Sequence, residues 1–101
     1  FLAMTDSLRR LGEYAQRNHI RLYLAMVPDV HDLQHYRFQP IHETMRRLAG
    51  PLGFVYVDLL PGLAGLAPQA IWAMPGDPHP NALGHQRMAE TLYPILAKTP
   101  E

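Results

Sequence analysis

Asp77 and His79 are separated by a single residue, Pro78. The proline ring fixes φ at about −65° and stiffens the dipeptide. Pro80 follows His79 and biases it toward extended backbone. A carboxylate held against an imidazole can fix the ring's tautomer and stabilise the imidazolium, which is the chemistry of an oriented general base. Asn81 then stands where a helix N-cap would, its side-chain oxygen able to accept a backbone N–H. The stretch Trp72–His85, W-A-M-P-G-D-P-H-P-N-A-L-G-H, is therefore expected to hold acid and base on a rigid, extended loop ahead of a helix.

Other residues invite chemistry less strongly. His31 and His35 are four apart, as metal-binding pairs on a helix can be. They follow Pro28 in a polar loop and lack the glutamate of H-E-x-x-H, so they read as solvent-exposed side chains. A zinc site built from His31, His35 and His42 is the rival reading. Asp58 ends an apolar run, where active-site groups gather in open α/β sheets, yet a hydrogen-bonded turn explains it as well. Trp72 reads as packing, with the wall of an acyl pocket as its alternative. His85 is expected to pack on the apolar face of its helix, and Arg46-Arg47 to form a solvated helix face. Ser7, in T-D-S-L, is the one serine in the chain. A nucleophilic serine follows a strand on a tight turn, whereas Ser7 opens an amphipathic helix, so its likeness to G-D-S-L reads as coincidence.

The elements that must position these groups alternate. Met4, Leu8, Leu11 and Ala15 recur at helical spacing and predict a helix over Thr5–Arg17, with Thr5 as N-cap and Asn18 as a left-handed stop. Ile20–Val27 is a mostly apolar run, as in a parallel strand covered on both faces. Pro40 suits a first helical position, and Ile41, Met45, Leu48 and Leu52 continue that helix until Gly50-Pro51 and Gly53 break it. Phe54–Asp58 reads as a short strand. Leu59–Gly76 is a Pro/Gly-punctuated connection with a helical turn near Leu63–Leu66. Ala82–Lys98 is the last helix, with His85, Met88, Ala89, Leu92 and Leu96 on one face and a kink at Pro94. Such alternation predicts an α/β fold with a parallel sheet and helices on both faces. Two strands are too few for one, so the chain reads as a single partial domain over 1–101.

With 101 residues and 48% hydrophobic composition, the chain is one small domain that can bury a core. Lys+Arg and Asp+Glu are both 9, so nothing electrostatic points to nucleic acid or an anionic membrane. There is no cysteine, hence no disulfide framework and no thiolate nucleophile, and the compartment is left open. The first residue is Phe1, which fits an excised or a processed segment.

The tail resembles the C-terminal half of the SGNH (GDSL-type) hydrolases. The matching residues are Pro28 closing a strand, F-V-Y-V-D-L at Phe54–Leu59, Trp72, and D-P-H-P-N-A-L-G-H at Asp77–His85 with Met88-Ala89 following. The resemblance spans nearly the whole chain in layout, and its specific part is Asp77–His85. It implies part of a three-layer α/β/α doubly wound, flavodoxin-like sheet. It also implies a serine ester hydrolase in which His79 is the catalytic base and Asp77 its orienting acid, with no metal or organic cofactor. The substrate would be an ester-bearing small molecule or an acylated carbohydrate. The family's nucleophilic serine and oxyanion-hole glycine and asparagine have no counterpart here, so the isolated chain is expected to be inert. Many members place two residues between acid and histidine, where this chain has Pro78 alone. Rival readings are carbohydrate O-acetyl transfer and a non-catalytic oligomerising fragment. Unpaired strand edges predict a homo-oligomer, or association with the missing N-terminal half.

Overall fold

The computed structural model describes residues 1–98 and shows a mixed α/β chain. Contacts divide it into two compact units, one of Phe1–Met26 with Gln39–Val57 and one of Val27–Phe38 with the chain from Asp58 onward.

The first unit carries α1 (Leu2–Arg17), β1 (Leu22–Met26), α2 (Gln39–Ala49) and β2 (Phe54–Asp58). The strands β1 and β2 form a two-stranded parallel pair, and α2 packs on β1. The parallel part of the expected architecture is thus this one pair among the described residues. The helix α1 starts at Leu2, ahead of the expected cap, and the Thr5 hydroxyl donates to Phe1 O (2.9 Å) within it. Its end differs by one residue from expectation. Asn18 is the C-cap at φ −107°, and His19 takes the left-handed conformation at φ +55°. Ile20 N–H donates to Ala15 O (2.8 Å) and His19 N–H to Gln16 O (3.4 Å), the paired bonds of a Schellman end.

The buried helix faces match those expected only in part, with Ala15 and Met88 buried as expected and other positions differing. In α1 the buried positions are Gly12 and Ala15, while Leu11 is 46% exposed. A Cβ at Gly12 would stand 2.0 Å from Leu52 O, so this glycine is where the 50–53 turn approaches the helix. In α2 the buried pair is His42 and Ala49, with Ile41 exposed. The strand β1 has no fully buried residue, and Ile20 and Val27, at the ends of the expected strand, are exposed. Its apolar composition therefore does not correspond to cover on both faces.

The second unit holds a 3₁₀ turn (Leu60–Leu63), α3 (Pro68–Ile71), β3 (Trp72–Met74), β4 (Asp77–Pro80) and α4 (Ala82–Ala97). Its core is Val30, Leu59, Leu63, Ile71 and Met88. The expected rigid loop is an antiparallel hairpin: Trp72 faces Pro80 and Met74 faces Asp77, with an irregularity between them. Gly76 makes the turn at φ +80°, which suits a residue without Cβ. Prolines are normally a sign against a strand, but in a two-stranded ribbon both strands are edges. Pro78 and Pro80 are tolerated there.

Helix α4 buries Gly84 and Met88, with Thr91 half-buried; His85, Ala89 and Leu96 lie exposed. The helix is set close to its neighbours. A Cβ at Gly62 would meet Thr91 Oγ1 at 2.0 Å, and one at Gly84 would meet Pro80 Cβ at 3.1 Å. The helix continues through Pro94 to Ala97. No described helix is long and apolar enough to cross a membrane.

Candidate active site

Asp77 opens β4 and reaches forward two residues. Its Oδ1 accepts the His79 backbone N–H (3.1 Å) and lies 2.5 Å from His79 Nδ1. An aspartate closing an Asx turn on the backbone two residues ahead is a local habit of this residue. Here that turn brings the carboxylate to the imidazole of the same residue. The His79 ring, and after it the His79 N–H, hold the Asp77 carboxyl below the usual carboxylate range. With Nδ1 engaged as donor, the neutral ring presents Nε2 as its acceptor. The His79 side chain is 84% exposed and that of Asp77 is 37% exposed, so the pair is open to a reactant.

Asn81 fixes the end of this strand. Its Oδ1 accepts Gly84 N–H (3.0 Å), capping α4 as the sequence predicts. Its Nδ2 donates to Ala70 O (3.0 Å) and Trp72 O (3.1 Å), and its own N–H donates to Ile71 O (2.7 Å). One side chain thus joins α3, β3 and α4 immediately after the His79–Pro80 segment.

Trp72 is half-buried, and its indole N–H donates to Val30 O (2.7 Å). It also lines a cavity of about 390 Å³ with Gln69, Met74 and the Pro75-Gly76 turn. Asp58 Oδ1 accepts Leu60 N–H (3.0 Å), the strand-end turn expected for it. Ser7 lies inside α1 with its hydroxyl donating to Ala3 O (2.9 Å), not on a tight turn. His85, expected to be packed, is exposed.

The loop after β1 holds a second acid–imidazole pair that sequence reasoning passed over. Asp29 Oδ1 accepts the His31 N–H (2.9 Å) and lies 2.8 Å from His31 Nδ1. That N–H, the leading influence, draws the Asp29 carboxyl below its ordinary range against the opposing effect of burial. The Tyr36 hydroxyl accepts Asp29 N–H (3.2 Å), and burial pushes the phenol up. The signal was available, since D-V-H has the spacing of D-P-H. His31 and His35 are exposed as expected, but each has an aspartate beside it. His42 is fully buried within α2. Among the described residues no group of three His, Asp or Glu side chains is placed to hold a metal ion.

No family model, curated protein or solved structure matches this chain.

Proposed function

We propose that this chain is the C-terminal part of an SGNH-type serine ester hydrolase, supplying His79 as general base and Asp77 as the acid that orients it. The reading is carried by one observation: the Asp77–His79 contact sits on a strand whose far end Asn81 ties to α3, β3 and α4. A base must be held in place while its proton moves, and this anchoring provides that. In this reading β1 and β2 belong to a larger doubly wound, three-layer α/β/α sheet. The remaining strands and the nucleophilic serine come from a segment outside this sequence.

The chemistry follows from Nε2. It takes the serine proton as the serine oxygen bonds to the ester carbonyl carbon, while Asp77 stabilises the imidazolium. Nε2 then gives that proton to the leaving alcohol oxygen as the C–O bond breaks. Water next attacks the acyl-enzyme, passes its proton to Nε2, and the serine leaves with it, releasing the acid. The substrate is an ester-bearing small molecule or an acylated carbohydrate; with a sugar hydroxyl in place of water the same steps transfer the acyl group.

The test is turnover of a small activated ester by the chain alone and by the chain joined to the segment encoded upstream of Phe1. Turnover that needs the upstream serine and falls by orders of magnitude in His79→Ala supports the reading. Turnover by the chain alone that vanishes in Ser7→Ala overturns it, as does full activity in His79→Ala.

A further inference from the structure

A cavity of about 370 Å³ lies on the Asp29–Phe38 loop, lined by Asp29, His31, Asp32, His35, Arg37 and Phe38. Its volume is in the range of about 300–1,000 Å³ typical of small-molecule sites. Five of its six lining side chains are polar, and their arrangement narrows what can fill it.

Asp29 Oδ1 lies 2.8 Å from His31 Nδ1, and Asp32 Oδ2 stands 3.5 Å from His35 Nδ1. Asp32 Oδ1 also accepts the N–H groups of Gln34 (3.1 Å) and His35 (3.0 Å). With Nδ1 turned to a carboxylate, each neutral ring keeps Nε2 as an acceptor. Arg37 lies over the Phe38 ring, its guanidinium carbon 5.7 Å from the centroid. A guanidinium on a ring face keeps its in-plane N–H donors available. The cavity therefore offers acceptors and donors together, with one aromatic ring.

Three ligand classes fit this badly. A phosphate or carboxylate meets two carboxylates against one permanent cation. A bound divalent metal needs a third protein ligand, and no such group of three is placed among the described residues. An acyl chain finds a single apolar side chain. A neutral polyol, whose hydroxyls both donate and accept, matches all of the lining.

We infer that this cavity is a saccharide subsite, taking a neutral sugar ring through Asp29, His31, Asp32, His35 and Arg37. Trp72 ties it to the dyad's hairpin, because the Val30 carbonyl that its indole bonds lies between Asp29 and His31. Identifying the bound sugar as the carrier of the acyl group rests on the reading of Asp77 and His79 above; binding itself does not.

The test is an amide-shift titration of the full 101-residue chain by NMR with cellotriose, maltotriose and chitotriose, and separately with inorganic phosphate and zinc chloride. At least one trisaccharide is expected to give saturable shifts confined to residues 29–38, with a Kd of roughly millimolar order. Arg37→Gln and Asp29→Asn should each weaken it by about tenfold or more, with amide shifts elsewhere unchanged. His79→Ala should leave it intact. Three results overturn the inference: no saturable shift from any trisaccharide at about 10 mM, tighter binding of phosphate or zinc on the same amides, or loss of sugar binding in His79→Ala. Sugar binding in an assembled enzyme without ester turnover supports the cavity and counts against the dyad.

Discussion

Replacing Asn81 by alanine removes three hydrogen bonds from one point, and the loss divides into parts. The cap on Gly84 N–H is worth about 1 kcal/mol. The bond to Trp72 O, part-buried, contributes about 1 kcal/mol, and that to the exposed Ala70 O about 0.5 kcal/mol because water can replace it. Asn81→Ala should therefore cost about 2–3 kcal/mol in urea unfolding, seen as a lower midpoint at constant slope. Asn81→Asp separates bridge from cap. It keeps the accepting oxygen and adds a charge that the helix N-terminus favours by about 0.3–1 kcal/mol. It also removes both Nδ2 donors and sets a carboxylate against two carbonyl oxygens. A residue that only capped α4 would lose nothing as aspartate. A bridging Asn81 should lose about 1–2 kcal/mol. Aspartate as stable as the wild type would refute the bridging role, and with it the claim that Asn81 anchors the dyad's strand.

Two further expectations follow from geometry. Gly12→Ala should lower the thermal midpoint although alanine favours a helix interior by about 1 kcal/mol, because the new Cβ meets Leu52 O at 2.0 Å and overpacking costs about 1–3 kcal/mol or more. Gly50→Ala, with nothing within 4 Å, serves as its control, and a stabilised Gly12→Ala would show that the 50–53 turn does not press on α1. The Asp77 carboxyl should titrate by carbon NMR below the usual carboxylate range, and His79→Ala, which removes the largest cause, should move it back toward that range while the backbone N–H remains. Since the folded value lies below the unfolded one, the pair's contribution to stability is present above the unfolded carboxyl range, about pH 4. It fades as pH falls through the folded value. A carboxyl that titrates alike in both proteins would remove His79 as its partner.

How much of this was legible depended on whether a residue's behaviour is local. Asn81 as N-cap, Asp58 as a strand-end turn and the Asp77–His79 contact are settled within two or three residues of chain, and each appears where the sequence places it. Helix faces are settled by what packs against them. In α1 and α4 the inward positions are the expected Ala15 and Met88 together with two glycines, Gly12, where the Leu52 carbonyl stands too close for a Cβ, and Gly84, where Pro80 packs tightly. Apolar periodicity gives glycine no weight, so it selected Leu11 and Leu96, which are exposed. The hairpin was hidden by composition: three prolines and a glycine crowd the 72–80 stretch and its turn, yet a ribbon of two edge strands accepts them. His42 illustrates the remaining limit. A histidine on a helix reads as polar, and its complete burial follows only from its position in the fold.

The two Asp-x-His pairs bear on what identifies a catalytic base. In both, the aspartate takes the histidine N–H and stands within 2.8 Å of Nδ1, and in both the carboxyl is drawn below its ordinary range. That geometry follows from an Asx turn closing on a histidine, so a short Nδ1–carboxylate contact does not by itself distinguish a base from a turn. The difference lies in what holds each pair. Asp29 and His31 sit on a loop held through Val30 O and the Asp29 N–H, where the second imidazole and Arg37 share the lining of a cavity. Asp77 and His79 sit on a paired strand, opposite Met74, with Asn81 closing three bonds to two helices and β3 just beyond. Proton transfer needs a ring whose position persists as charge builds on it, whereas hydroxyl recognition can use a loop that adapts to its ligand. The same three-residue chemistry can therefore serve a base on β4 and a recognition group on the loop after β1 in the reading proposed above, and the anchoring of the backbone is the observation on which that division rests.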